Sequence, residues 1–281
     1  MRLFRRKKPA ARLEEILRGH ELPVLSQGTM SLLKLLRDPQ SDLAEIAEAL
    51  SWDAGLVVRV MKLVNSAAYG SVRTIEGVAH AVQMLGRTQL EQIVLGVVVK
   101  EGLPSTKARG FESGRFWRGA FFRAALARSL SDKLHPADKA RSFTGALLQD
   151  MAVPLLAHAR EEDYGSVLEA YHETPSAKLH QLERESLGFS HDEIGAHLAG
   201  EWELPESLRR VIELHHDDSA ADRDLPPALR LVALYRESSP EYGIDVLVEE
   251  AGSMYGIEAD WLRDVMATSQ DKANELERAL R

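Results

Sequence analysis

The sequence predicts an all-α protein. Apolar residues recur at the i, i+3, i+4 and i+7 spacing that marks one buried face of a helix, as Leu43, Ile46, Ala47 and Leu50 do. Residues 93–99 alone are rich in β-branched side chains, but they continue a helical face and have no strand-like segment within hairpin reach. The 281 residues include no cysteine, so we expect neither disulfides nor thiolate metal sites.

The first part of the chain is predicted to form short helices with recognisable ends. Ser41 and Asp53 are predicted N-caps, because a short polar side chain can accept a hydrogen bond from a free N–H group of the first turn. Gly86 is predicted to end one helix before the next begins. Gly102 and Pro104 then interrupt the helical spacing, which predicts a boundary near residues 101–106.

Further helices are predicted after that boundary, beginning with a long one from about residue 116 to 134. The next passes through Phe143, Leu147 and Met151 and breaks at or soon after Pro154. The remaining predicted elements are helices at about 163–172, 176–187, 190–202 and 205–215, a polar loop at 216–227, and two or three more helices up to about residue 280.

Charge is unevenly distributed along the chain. The formal net charge of −8 argues against a nucleic-acid-binding body. A basic cluster nevertheless occupies the first eight residues, with Arg2, Arg5, Arg6, Lys7 and Lys8. A solvated disordered leader is the favoured interpretation, and a weak contact with anionic lipid, polyphosphate or an acidic partner is the alternative. No apolar run approaches the roughly 18 residues of a membrane span, so we expect a cytoplasmic protein.

Several motifs in this chain occur in an order that resembles the HDOD family, the HD-related output domains of bacterial signalling proteins. The motifs are Leu22-Pro23, Asp38-Pro39, Leu63-Val64-Asn65-Ser66-Ala67-Ala68-Tyr69-Gly70, Ala81-Val82-Gln83-Met84-Leu85-Gly86, Phe116-Trp117, Gly145-Ala146-Leu147-Leu148-Gln149-Asp150 and His191-Asp192-Glu193-Ile194-Gly195. The resemblance implies a basic leader at residues 1–11, an N-terminal helical lobe at 12–104, and a degenerate HD-type helical lobe with C-terminal helices at 105–281.

The resemblance also implies where metal ligands have been lost. HD hydrolases use a histidine on the long helix and then a His-Asp pair, and these two histidine positions fall on Gly119 and Gln149. Glycine has no side chain, and a neutral amide is a poor substitute for imidazole on a transition metal. A two-metal centre that activates water is therefore not expected.

Four ligand-type residues survive. Asp150 occupies the aspartate position of the His-Asp pair. His191, His215 and His216 resemble later ligands of HD-GYP phosphodiesterases, but the glycine-tyrosine-proline signature of those enzymes is absent. Helical spacing places Asp150, His191 and His215 on inward faces. The favoured interpretation is a structural polar network without a metal or other cofactor. A single weakly bound divalent metal, with His216 at its rim, is the second interpretation, and a catalytic centre is the third.

Asn65, Ser66 and Tyr69 have two interpretations. The favoured one is structural, because these side chains can satisfy backbone groups where a helix ends and fill a gap between lobes. The alternative is that they face a groove between the lobes and bind a ligand or a peptide. The other histidines, His158, His172, His180 and His197, are expected at surface or half-buried positions.

The sequence therefore predicts a non-catalytic HDOD regulatory protein that acts through a protein partner in a bacterial signalling pathway. No nucleic-acid partner is expected. The alternatives are a residual metal-dependent phosphohydrolase and a sensor that binds a nucleotide or cyclic dinucleotide without cleaving it.

Overall fold

The computed structural model describes residues 15–22, 24–66, 74–236 and 239–279, and no β-strand occurs within them. The prediction of an all-α fold is confirmed. In chain order the helices are α1 (Gln27–Arg37), α2 (Leu43–Ser51), α3 (Ala54–Val64), α4 (Val78–Gly102), α5 (Ser113–Leu134), α6 (Lys139–Leu148), α7 (Ala152–Ala159), α8 (Glu161–Glu173), α9 (Leu179–Leu187), α10 (His191–Glu201), α11 (Glu206–Leu214), α12 (Pro227–Val232), α13 (Pro240–Tyr255) and α14 (Ala259–Ala279), with a short 3-10 helix at Pro136–Asp138.

The first four helices form one lobe, in which α1, α2 and α3 all pack on α4. Helix α4 changes direction at Gly86, whose φ of 69° lies in the left-handed region that glycine adopts without steric cost. Its second half contains residues 93–99, which are helical as predicted and almost entirely buried.

The helix caps of this lobe agree with one prediction and correct another. Asp53 caps α3 as predicted, by accepting a hydrogen bond from the Leu56 N–H. Ser41 does not cap α2, because its hydroxyl donates instead to the backbone carbonyls of residues 35 and 38. Asp42 takes that role and forms a reciprocal capping box with Glu45.

The second lobe is built around α5, which contacts α6, α12 and α14. The two lobes meet where α4 packs against α6. The Thr144 hydroxyl donates to the Gln92 carbonyl across this contact at 3.2 Å. Gly96 permits the close approach, since a Cβ atom there would lie only 3.0 Å from Leu147 Cδ2.

The chain before α1 contacts the second lobe as well. Arg18 forms an ion pair with Asp163, and the His20 ring lies 5.1 Å from the His158 ring in an edge-to-face arrangement. The predicted boundaries at residues 11 and 104 stay predictions. The basic cluster of the first eight residues lies outside the described part of the chain. Within the described part, none of the helices combines the length and the apolarity needed to cross a membrane.

Candidate functional site

Three helix ends bring four metal-ligand side chains into one group. Asp150 follows the C-terminal end of α6, His191 is the first residue of α10, and His215 and His216 follow α11. One ligand atom of each lies within 4.8 Å of the other three. We call these residues the four-donor group. His216, predicted at the rim, is a full member of it.

The spacing inside the four-donor group fits one metal ion. His191 Nε2 lies 3.3 Å from His215 Nε2 and 3.1 Å from His216 Nε2. Asp150 Oδ1 lies 3.2 Å from Nε2 of both His191 and His215. Around a tetrahedral zinc with bonds of 2.0–2.1 Å, neighbouring ligand atoms are about 3.3–3.4 Å apart. The donor set and its spacing therefore suit a single divalent transition metal.

Hydrogen bonds on the far side of two imidazole rings fix which nitrogen faces the group. His191 Nδ1 lies 2.7 Å from Glu183 Oε2, and His215 Nδ1 donates to the Ile212 carbonyl at 2.8 Å. In the neutral rings both Nε2 atoms are then unprotonated lone-pair donors beside a carboxylate. Such an arrangement is stable only with a proton or a cation between these atoms. Burial opposes a charge on His191, yet Glu183 and Asp150 raise its pKa well above the ordinary value.

Glu183 and Tyr164 form a second layer that the sequence analysis missed. Glu183 is fully buried and accepts hydrogen bonds from the His191 backbone N–H and from the Tyr164 hydroxyl. Burial and the Glu183 charge raise the pKa of Tyr164 well above its ordinary value. Carboxylates in this position orient metal-binding histidines. A signal was present, because Glu183 shares a spacing of four with Leu179 and Leu187 on α9.

Arg123 occupies the other side of Asp150. Its guanidinium Nη2 lies 2.6 Å from Asp150 Oδ2, and its side chain is 3% exposed. Burial opposes ionisation of Asp150, but Arg123 and the hydrogen bonds from His191 and His215 hold its pKa well below the ordinary value. The sequence analysis missed this contact too, although Arg123 stands one helical turn after Gly119 on the long helix.

The two lost ligand positions are both buried. Gly119 lies on the buried face of α5. Gln149 is 1% exposed, and its Oε1 has no hydrogen-bond partner among the described residues. Its Nε2 is 3.5 Å from Asp150 Oδ2, the upper limit for a hydrogen bond. Neither residue adds a second set of metal ligands.

His180 corrects one prediction. It was expected at a surface or half-buried position, but it is 7% exposed and stacks on the His216 ring at 4.1 Å between centroids. Burial and the nearby His191 lower the pKa of His180 to about 4. Burial and the neighbouring imidazoles likewise hold the pKa of His216 well below its ordinary value. The pKa directions of these two rings favour their neutral forms.

Asn65 and Ser66, two of the three residues that could face a groove between the lobes, form hydrogen bonds with backbone groups of their own lobe. The Asn65 amide exchanges two hydrogen bonds with the Ile75 backbone, at 2.9 and 2.7 Å. The Ser66 hydroxyl donates to the Leu63 carbonyl at 2.7 Å. Tyr69 lies outside the described residues. These contacts are of the kind that the structural interpretation expects, and the choice between the two interpretations stays a prediction.

The all-helical fold is that of HD-related proteins, and here it gathers an aspartate and three histidines at helix ends. Residues 22–218 match the HDOD domain, and the chain belongs to the HDOD family. It is 28% identical over 217 residues to an uncharacterized protein of Treponema pallidum (strain Nichols), with 76% of this chain and 41% of that protein covered. The chain thus spans less than half the length of that relative.

Two solved structures share the fold. One, from Shewanella amazonensis SB2B, is provisionally named a phosphohydrolase. It superposes with a TM-score of 0.75 at 23% identity, and the match covers 97% of this chain and 98% of the Shewanella chain. The other, from Marinobacter aquaeolei VT8, is provisionally named a signal transduction protein. It has a TM-score of 0.70 at 17% identity over 95% of this chain and 60% of its own.

Proposed function

We propose that this chain is a non-catalytic HDOD regulatory protein that acts in bacterial signalling by binding a protein partner, and that its HD-type site holds a single divalent metal. The contact between Arg123 and Asp150 carries this proposal. A guanidinium takes the carboxylate oxygen that a second metal ion would need. The arginine cannot be deprotonated in a protein, so its positive charge is permanent.

In two-metal phosphohydrolase sites, the two ions hold the attacking and leaving oxygens of the displacement. Gly119 and Gln149 leave the second ion without imidazole ligands, and Arg123 adds electrostatic repulsion where it would lie. The four-donor group still has the ligands for one ion. These observations support binding of a metal without turnover.

The metal would be held by Asp150, His191, His215 and His216. When bound, it supplies a Lewis-acidic positive charge on the surface of the adjoining cavity. Glu183 keeps the Nε2 atom of His191 turned towards the group, and the Ile212 carbonyl does the same for His215. The metal also replaces the proton that would otherwise separate these donors.

Exposed apolar side chains on the N-terminal lobe support a protein partner. Trp52 is 82% exposed, Met84 is 58% exposed and Val58 is 53% exposed. Aromatic residues and methionine are enriched at protein interfaces. The name of the Marinobacter aquaeolei structure is consistent with a signalling role.

An assay of hydrolysis tests the absence of catalysis. The full chain, supplied in turn with zinc, manganese and iron, is incubated with bis(p-nitrophenyl) phosphate and with cyclic dinucleotides. We expect no metal-dependent turnover above the rate of an Asp150→Ala variant. Turnover by the natural chain that this variant loses, while it remains folded by circular dichroism, would establish the residual phosphohydrolase instead.

A further inference from the structure

A cavity of 540 Å³ adjoins the four-donor group, whose residues form part of its lining. Residues of α5, of α13 and of the segment before α9 line the rest. Cavities of about 300–1,000 Å³ hold small organic ligands in proteins. This one is far larger than a metal ion requires, so it has room for an organic molecule as well.

Two buried acceptor atoms beside the cavity lack hydrogen-bond donors. Gln149 is 1% exposed and its Nε2 faces Asp150, which leaves Oε1 as an acceptor without a partner among the described residues. His172 donates from Nε2 to the Gly110 carbonyl at 2.7 Å, so Nδ1 of the neutral ring is an acceptor, and it is unpaired in the same sense. Both residues line the cavity. An occupant with N–H groups would satisfy both acceptors.

Most of the positive side chains around the cavity already have partners. Three arginines form ion pairs, Arg115 with Glu112, Arg123 with Asp150 and Arg230 with Asp222. Arg236 is buried and donates to the carbonyls of Thr174 and Ala177, which follow the C-terminal end of α8 where the helix dipole is negative. These arginines are therefore occupied, and they do not select an anion.

Glu250 is a half-buried charge that lines the cavity without a partner. It forms no ion pair or side-chain hydrogen bond within the described part of the chain. Lys178 and Asp218 also line the cavity without an ion pair to a described residue, but both are exposed to solvent and their charges are opposite. A partly buried carboxylate without a counter-ion favours a cation as its neighbour.

The surroundings of Glu250 suit the organic part of such a cation. Tyr242, Val246, Glu250 and Met254 follow one another at intervals of four residues along the face of α13 that lines the cavity. Tyr242 is 43% exposed and Met254 is 48% exposed. An apolar body placed against them would bury surface that is otherwise in contact with water, and aromatic rings attract organic cations.

We propose that the cavity binds an organic cation that carries N–H groups, namely a protonated amine, amidine or guanidine with an apolar body. The positive charge pairs with Glu250, and the N–H groups supply the donors that the cavity lacks. The apolar body lies against Tyr242 and Met254. This site goes beyond the proposed function, since it requires neither turnover nor a particular protein partner.

Calorimetric titration of the full chain at neutral pH tests this inference with four probes. Benzylamine and benzamidine are cations with N–H groups, benzyltrimethylammonium has the charge without N–H groups, and benzoate has the opposite charge. We expect the tighter of the first two to bind at least about tenfold more tightly than either of the last two. The tighter of the first two also identifies the headgroup.

A variant and a matched control locate the binding. Glu250→Gln removes the charge at nearly constant shape, so it should weaken binding of the tighter cation about tenfold. The chain should stay folded, because the natural carboxylate has no described partner to lose. Glu249→Gln makes the same change at the neighbouring exposed position of α13 and should leave the affinity unchanged.

Four results would each overturn the inference. They are no binding of benzylamine or benzamidine, equal affinity for benzyltrimethylammonium, equal or tighter binding of benzoate, and an affinity that Glu250→Gln leaves unchanged or that Glu249→Gln lowers as much. Folding of both variants is checked by circular dichroism.

Discussion

Arg123 is the residue that most distinguishes this site from a two-metal centre. It supplies a fixed positive charge to one oxygen of Asp150, while the other oxygen faces the histidines. A metal ion bound by the histidines would therefore share this carboxylate with the guanidinium. Removal of either partner of such a buried pair leaves an uncompensated charge inside the protein. The resulting loss of stability is much larger than the net stability that the intact pair contributes.

The Arg123→Met variant should lower the free energy of unfolding by about 3–5 kcal/mol, because Asp150 loses its counter-ion inside the protein. Urea denaturation measures this. Arg118→Met, on the same helix but 44% exposed at its side chain, should change stability by no more than about 1 kcal/mol. Equal effects in both variants would show that the Arg123 contact is not a buried ion pair.

The free energy of unfolding of the metal-free protein should also depend on pH because of Asp150. A carboxylate with a lowered folded-state pKa adds stability above its unfolded pKa of about 3.9 and loses it as the pH falls. The free energy of unfolding should therefore decrease as the pH is lowered below about 5. The Asp150→Asn variant should be less stable than the natural chain at neutral pH. Its free energy of unfolding should decrease less steeply as the pH is lowered. An unchanged slope would exclude this carboxylate as a source of the dependence.

Glu183→Gln tests the second layer. The amide cannot hold His191 Nδ1–H as the carboxylate does, so zinc affinity should fall about 10–100-fold. Competition with a chromogenic chelator measures the affinity. Glu185→Gln, an exposed change on the same helix, should have no effect, and a similar loss in both variants would dismiss the role assigned to Glu183.

Among the helices, the close packing of α10 on α11 sets the position of the histidines. A Cβ atom at Gly195 would lie 2.8 Å from Ile212 Cγ2, closer than side chains tolerate. His191 begins α10 and His215 follows α11, so any separation of these helices moves both ligands apart.

Gly195→Ala should therefore lower stability by about 1–3 kcal/mol through overpacking and weaken zinc binding as well. Gly200→Ala is the control on the same helix, where an added Cβ meets no atom within 4 Å. It should raise stability by about 0.5–1 kcal/mol, because alanine loses less backbone entropy in a helix. A stable Gly195→Ala variant with normal zinc affinity would refute this account of the helix contact.

Most helices were predictable from the sequence because apolar spacing is a local signal. The break predicted at or soon after Pro154 was wrong, since it falls at residues 149–151 and Pro154 lies in the first turn of α7, where a proline is tolerated. The all-α class, the Gly86 break and the Asp53 cap all follow from residues a few positions apart. The N-cap of α2 was misplaced by one residue, since Ser41 and Asp42 are both suitable caps and only the fold decides which hydroxyl or carboxylate is free.

The site was less predictable because its contacts join residues far apart in the sequence. Spacing placed Asp150, His191 and His215 on inward faces, yet it gave no information on whether their ligand atoms meet. Arg123, Tyr164 and Glu183 reach the site from three different helices. The spacing of Glu183 places it on an apolar face of α9, but spacing does not show which residues of other helices it meets. The same holds for His180, whose burial depends on its stacking against His216.

At the scale of the whole molecule, we propose an HD-related fold with a site for one metal ion and no second one. The lobe contact through α4 and α6 and the contacts of residues 15–22 with the second lobe place the site within a larger packed body. The cytoplasmic location, the role of the basic leader and the identity of the partner stay predictions.

Metal content per chain distinguishes a site for one metal ion from an empty site and from a two-metal site. The protein is purified without a chelator or a histidine tag, dialysed against trace zinc, manganese and iron, and measured by elemental mass spectrometry beside the His216→Ala variant. We predict close to one equivalent in the natural chain and substantially less in the variant. Three results would contradict a single-metal site that includes His216: no bound metal, two equivalents per chain, or one equivalent that the His216→Ala variant retains in full.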